Sequence, residues 1–412
     1  MSNYQLIGPF AQLLPMNNLP LKGALSDSHL VVLKNAGILL EGKKIAQIGD
    51  FEKLYNHTKT LQPVITKLDQ PLVGLPGFID AHTHICFGGS RAKDYAMRNA
   101  GKTYLEIAKA GGGIWDTVAH TRNETKENLA KEIIKRAKRQ LAKGITTIEV
   151  KSGYGLSVQE ELKMLRAIQS ANLECLADLI PTCLAAHIFP KDFEGTIPDY
   201  LKEISTLLFP ILKEEKLSNR IDAFIEEEAF SPDFISPYLA KAQKMGFDIT
   251  IHADQFHPSG SAVAVKFQAI SADHLEASTT KEIDLLSKSR VIPVALPGAS
   301  IGLGCAFTPA RRLLDAGTSL AIASDWNPGS APMGDLLTQA AILGTFEKLS
   351  NTEVFSAITF RAAAALNLTD RGSLTKGNIG DLVAFPVPDY REILYQQGQL
   401  APTMVWKNGV IV

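Results

Sequence analysis

Residues 72–84 read LVGLPGFIDAHTH. An apolar run over residues 72–80 ends abruptly in a polar cluster, with histidines at positions 82 and 84. A run without polar alternation predicts a strand buried on both faces, as in a parallel sheet. Seven more such runs follow, at residues 146–150, 179–187, 220–225, 248–252, 269–274, 291–296 and 319–324. Helical patterns lie between them. In residues 125–143, Leu129, Ile133, Ile134, Ala137 and Leu141 share one face, and Gly144 follows as a stop signal. Ser157 with Glu160, and Thr279 with Glu282, have capping-box spacing. Eight strands alternating with helices predict an α/β fold, a (β/α)8 TIM-type barrel. An open doubly wound sheet is the alternative, but no glycine-rich dinucleotide fingerprint follows the first strand.

The two ends of the chain read differently. Residues 29–50 hold two strand patterns around the turn signal Glu41-Gly42-Lys43. Near the C-terminus, residues 381–387 and 404–412 read as strands, the latter turning at Asn408-Gly409. A lone hairpin is marginal in water. The two ends are therefore expected to pair into one small discontinuous β-domain. That divides the chain into residues 1–70, a barrel over 71–368, and residues 369–412.

Composition removes several classes of function. With 412 residues, 45% apolar and 21% charged, the chain has ample material for a core and no bias toward disorder or coiled coil. Lys and Arg total 42 against 43 Asp and Glu, so no net field favours nucleic acid or an anionic membrane. Cys86, Cys175, Cys183 and Cys305 are too sparse for a disulfide framework and are expected as reduced thiols. Residues 1–15 lack the basic and apolar regions of a signal peptide. The longest apolar stretch, residues 292–307, is interrupted by Pro293, Pro297 and glycines, so it is not expected to span a membrane. A cytoplasmic protein is expected.

Barrel enzymes work at the C-terminal ends of their strands. Five of the nine histidines, His82, His84, His187, His252 and His274, fall at such ends. In an extended chain residues 82 and 84 project to one side, so both imidazoles can reach one metal ion. His-x-His alone is a weak signal. His252 and Asp325, closing the fifth and eighth strands, complete three nitrogens and a carboxylate. The first and eighth strands are neighbours in a closed barrel, so this set can converge with a position open for water. His187 and His274 fit hydrogen bonding to substrate or polarising its carbonyl. Asp273 reads as a partner of local backbone, and Glu226, Glu227 and Glu228 as an acidic run outside the site. Arg91, after Gly88-Gly89-Ser90, is either an ordinary surface residue or a fork for an anionic substrate. Tyr154, between Gly153 and Gly155, sits on a loop over the mouth.

On these residues the chain resembles the amidohydrolase superfamily, whose hallmarks are a first-strand HxH, histidines ending the fifth and sixth strands, and an aspartate ending the eighth. PGFIDAHTHICFGGSR (76–91), YLEIAKAGGGIWDTVAHTR (104–122), EVKSGYGL (149–156), LAAHIFP (184–190), ISADHLE (270–276) and ASDWNPGSAP (323–332) carry the resemblance. It implies a small β-sandwich built from both ends. Many members carry a carboxylated lysine ending the fourth strand; here Lys151 sits earlier, which matches the mononuclear branch. The resemblance implies that His82, His84, His252 and Asp325 bind one zinc or iron ion per chain. It implies that Arg91, Tyr154, His187, Gln255 and Ser330 contact a small cyclic-amide substrate. Tyr154, Asn327 and Gly329 would hold the ring-opened product. His274 would assist at the scissile carbonyl and Asp325 would carry the proton. Some members have glutamate, proposed as a base, where this chain has Gln255, which takes no proton near neutrality. Hydrolysis of a ring C–N bond in a homodimeric enzyme is the expectation. A mononuclear deaminase of a purine or pyrimidine is the alternative, and a catalytically dead barrel used as a scaffold is a third reading.

Overall fold

The computed structural model describes residues 3–227 and 229–412, and their side chains except at positions 104, 105 and 108. Eight parallel strands form one sheet in sequential order. They are β1 (Phe78–Asp80), β2 (Ile145–Lys151), β3 (Asp178–Ala186), β4 (Arg220–Phe224), β5 (Asp248–Ala253), β6 (Ser271–His274), β7 (Ile292–Ala295) and β8 (Ala321–Ile322). Beyond the regular ladder the chain closes on itself: Asp325 N–H donates to His82 O at 3.0 Å, and His84 N–H to Trp326 O at 2.9 Å. The barrel thus shuts through the backbone of the predicted metal-binding residues.

The expected first strand is divided. Val73–Pro76 pairs in a second sheet, parallel to Tyr4–Leu13 and antiparallel to Leu382–Phe385, and only Phe78–Asp80 enters the barrel. Gly77 is the joint. A Cβ there would lie 2.4 Å from Thr146 Oγ1, so only glycine lets the chain pass this close to β2. Both halves are apolar because both are buried, and apolarity alone does not reveal the change of sheet.

The second sheet is mixed, has eight strands and draws on both ends of the chain. Leu33–Glu41 and Lys44–Asp50 form the expected N-terminal hairpin. Met404–Lys407 and Val410–Ile411 form the C-terminal one, with Asn408 and Gly409 at φ 54° and 80°, as a type I′ turn demands. Tyr4–Leu13 is a further strand that the sequence pattern does not announce. Its ladder with Leu33–Glu41 shifts register between Ile7 and Phe10, where Pro9 has no N–H to give. Lys407, buried, bonds Asp381 at 2.7 Å and Asp178, the first residue of β3, at 2.8 Å, fastening this sheet to the barrel.

The helix Lys126–Ala142 starts at Thr125, which accepts from Asn128 N–H, and buries Leu129, Ile133, Ala137 and Leu141. Thr279 and Glu282 form the reciprocal capping box that their spacing predicts. Ser157 caps its helix, but Glu160 turns instead to Lys163. All four cysteines are unpaired. Among the described residues no helix is long and apolar enough to cross a membrane.

Candidate functional site

The polar strand ends meet at one mouth of the barrel. His82 Nε2 and His84 Nε2 are 3.2 Å apart, and His252 Nε2 lies 3.4 Å from His84 Nε2. Asp325 Oδ1 lies 3.6 Å from His82 Nε2 and 3.4 Å from His84 Nε2. A tetrahedral ion with ligands at 2.0–2.1 Å would separate them by about 3.3–3.4 Å, so the donors stand at the edge lengths of such a site. The rings are turned inward by buried acids. His82 Nδ1 is 2.6 Å from Asp273 Oδ2, and His252 Nδ1 is in close, imperfectly aligned contact with Asp222 Oδ2 at 2.9 Å. With Nδ1–H facing a carboxylate, each Nε2 offers its lone pair to the centre. The residues present therefore fit a metal ion. Asp273, expected as a partner of local backbone, is instead the acid behind His82.

Lys151 closes the shell from below. Its ammonium is fully buried, 2.7 Å from Glu149 Oε1, 2.8 Å from Asp222 Oδ2 and 3.8 Å from Asp273 Oδ2. Burial alone would lower its pKa, but the carboxylates of Asp222, Glu149 and Asp273 outweigh it, so the pKa is raised and the group stays cationic. The free amine that carboxylation needs is thus absent. Glu149 also accepts from Thr83 N–H at 3.2 Å, tying the His-Thr-His segment to the same charges.

Above the cluster lies a cavity of about 260 Å³. His84, Arg91, Tyr154, His187, His252, Gln255, His274, Asp325, Asn327, Gly329 and Ser330 all border it, and His82 lies beneath. A larger cavity of about 450 Å³ on the far side of Arg91 meets none of the four clustered donors. The KSGYGL loop is held by Glu161, whose carboxylate accepts from the N–H groups of Gly153, Gly155 and Leu156. Gly153 O in turn takes the Nδ1–H of His187 at 2.9 Å, leaving Nε2 as an acceptor. Burial, with the imidazoles of His84 and His252, pushes His187 down to about 3, so it is neutral at pH 7. Burial raises the Tyr154 phenol well above its ordinary value, so it remains a donor.

Arg91 Nε bonds Asp94 at 2.6 Å, and the same carboxylate accepts from Gly113 N–H at 2.8 Å. A Cβ at Gly112 would fall 2.2 Å from Asp94 Oδ1, which accounts for a glycine in the run 111–113. Asn327 is spent within its own turn: its amide donates to Asp325 O and Oδ2 and accepts from Gly329 and Ser330 N–H. His274 Nδ1 is 3.4 Å from Glu276 Oε1; burial lowers its pKa, but the Glu276 charge raises it further. Burial would raise the Asp325 carboxyl, yet the His84 hydrogen bond and the surrounding imidazoles hold it below its ordinary range. Backbone strain collects here as well, with Asp254, His274, Leu275 and Asp325 at φ between 51° and 87°.

Several members of the site escape a reading of the sequence. Glu226, expected outside the site, is buried and accepts from Phe256 and His257 N–H, bracing the loop that carries Gln255. Glu227 is exposed, and Glu228 lies outside the described residues. Arg98 and Phe224 also border the cavity. The signal for Arg98 is its spacing of seven from Arg91, two turns along one helix face.

A closed parallel barrel whose mouth gathers three imidazoles and a carboxylate around one point has the donor set that metal-assisted hydrolysis uses. Residues 73–412 match the amidohydrolase family. The imidazolonepropionase of Bdellovibrio bacteriovorus is 37% identical over 93% of this chain and 90% of its own. That of Alkaliphilus oremlandii is 36% identical over 92% and 91%. Among solved structures, a zinc-bound adenosine deaminase from Xanthomonas campestris superposes with a TM-score of 0.71 at 18% identity, covering 99% of this chain and 92% of that one. The chain belongs to the amidohydrolase family and, within it, to the imidazolonepropionases.

Proposed function

We propose that the protein hydrolyses the ring amide C–N bond of 4-imidazolone-5-propanoate to N-formimidoyl-L-glutamate, a step of histidine degradation. One observation carries this reading: in a chain of this family, His84, His252 and Asp325 border the same small cavity as the Arg91 guanidinium, and His82 joins their cluster from beneath. His82, His84, His252 and Asp325 would hold one zinc or iron ion per chain. Such a cation lowers the pKa of water and polarises a carbonyl. The remaining work belongs to side chains. Arg91, with its Nη groups free of Asp94, holds the propanoate and so turns binding into orientation. His187 accepts a ring N–H at Nε2, and Tyr154 donates from its phenol. Gln255 orients the ring without moving a proton. His274 steadies the negative charge that develops on the carbonyl oxygen. Asp325 takes the proton of the attacking water and returns it to the departing ring nitrogen. Oδ2 of that carboxylate is held for this by Asn327 at 3.0 Å. Water adds across one bond, giving a new carboxylate and a freed amidine N–H.

The four free thiols fit a reducing compartment, and we place the enzyme in the cytoplasm as a homodimer, the assembly the family resemblance implies. The test is to supply freshly made imidazolone-propanoate and follow the loss of its ultraviolet band, with ammonia and metal content measured in parallel. Ring opening without ammonia, at one metal per chain, is expected. Ammonia release would favour deamination, and no turnover by metal-loaded protein would overturn the reading.

A further inference from the structure

Two guanidiniums, not one, converge on the end of the cavity at Gly329. Arg91 comes from the residue before helix Ala92–Asn99, and Arg98 from its last turn. Arg98 Nη2 donates to Gly329 O at 3.2 Å. Arg91 Nη1 lies so near that a Cβ on Gly329 would fall 2.8 Å from it. Gly329 thus has no side chain where two cations approach.

The two cations differ in how they are paired. Arg91 is compensated by Asp94, itself buried. Arg98 makes no ion pair among the described residues, and its Nε is shielded from solvent without a hydrogen-bond partner. Its guanidinium also stands over the Tyr95 ring, 5.9 Å from the ring centre. Among the described residues the sole acid bordering the cavity is Asp325, which faces the histidine cluster. A shielded donor on an unpaired cation is costly to keep and has a natural partner in an anion.

We propose that Arg98 reads the carboxylate of the substrate beside Arg91 and so sets specificity for an anionic side chain on the cyclic amide. This rests on the functional reading above and deepens it. Arg91, restrained by Asp94, supplies geometry; Arg98, unpaired, supplies the uncompensated charge. A guanidinium suits the task because its planar fork can keep the Gly329 carbonyl and still face a carboxylate.

The experiment compares kcat and KM for imidazolone-propanoate and for the uncharged propanamide analogue in wild type, Arg98→Gln and Arg98→Lys, each checked for fold by circular dichroism. Arg98→Gln should lower the preference for propanoate over propanamide by about 10- to 100-fold, mainly through KM, the scale of a hydrogen bond to a charged group. Arg98→Lys should restore part of that preference. Equal damage toward both substrates would mean that Arg98 only braces the Gly329 turn, and an unchanged preference would likewise overturn the proposal. If the glutamine variant folds poorly, the selectivity of Arg98→Lys decides between the same outcomes. A wild type inactive on the imidazolone would overturn the functional reading and this inference with it; an active wild type with an equally selective variant would overturn this inference alone.

Discussion

Asp325 and Gln255 face the same cavity, and only one of them can carry a proton. Gln255→Glu keeps the shape but adds a charge near an anionic substrate, so it should stay active with an altered pH profile. Asp325→Asn should lose at least about 100-fold in kcat, the scale of general acid–base catalysis, with metal content measured alongside. The assignment fails if Gln255→Ala costs as much as Asp325→Asn at normal metal content and substrate binding. Lys151 acts one layer deeper. Lys151→Met would leave Glu149, Asp222 and Asp273 buried without their cation, and two of these acids aim His252 and His82. Metal affinity, read by chelator competition on folded protein, should fall by about 10- to 100-fold, as for other supports of ligand orientation. Wild-type affinity would show that the acids hold their places unaided. His82, His84, His252 and Asp325 are readable because each ends an apolar run, so the sequence displays them at a boundary. Asp222 and Glu149 are not, because an acid inside a strand shows in the sequence only as an interruption. Their meaning lies in Lys151, which reaches Asp222 from another strand.

Elements are held at their ends by similar small devices. In the helix Ile197–Glu214, Thr196 and Asp199 cap each other, and in Thr280–Ser287, Thr279 and Glu282 do so. Hydrogen bonds from Thr196 hold the Asp199 carboxyl below its ordinary pKa. For Glu282 burial works upward, but the Thr279 bonds prevail and the net shift is down. A carboxyl with a depressed folded pKa stabilises above its unfolded value and loses that contribution as pH falls through the folded one. Hydrogen exchange in these two first turns should therefore be constant near neutrality and speed up, after correction for intrinsic rates, as pH falls through and below roughly 4. Helix Pro232–Lys244, capped by Ser231 without a returning carboxylate, should not show the same local change. Identical curves for all three helices would count against the caps. Elements with a strong period are legible in the sequence: the helix expected over 125–143 spans Lys126–Ala142, and all eight barrel strands are present. Tyr4–Leu13 is hidden by Pro9, which the structure accommodates as a local register shift. Gly77 hides the division of the first run, since what makes it a joint is Thr146, distant in sequence.

At the scale of the molecule the two sheets meet at the end of the barrel opposite the site. Gly77 precedes β1 and donates to Asp381 O, Gly144 precedes β2 and packs on Val383, and Asp178 opens β3. The terminal sheet therefore touches strand starts, whereas the histidines, Asp325 and the cavity lie at strand ends. Stability and chemistry are assigned to opposite faces, as the barrel architecture allows. Lys407 tests that separation, because its buried ammonium bridges Asp381 of the terminal sheet and Asp178 of the barrel. Lys407→Met removes the charge and keeps most of the bulk. Breaking a buried pair costs about 3–5 kcal/mol, and the partly exposed Asp178 can be screened by water, so about 2–3 kcal/mol is expected here. Asp381 keeps a bond from Asn408 N–H at 2.8 Å, which limits the loss. Adding Asp381→Asn to Lys407→Met should recover part of the stability, because the stranded anion goes with its partner. Denaturant unfolding measures both variants, and kinetics on the imidazolone measure the site. Lower stability with an unchanged KM is expected. A KM that rises with Lys407→Met in folded, metal-loaded protein would mean that the terminal sheet shapes the mouth through the length of the barrel, and the separation of faces would be wrong.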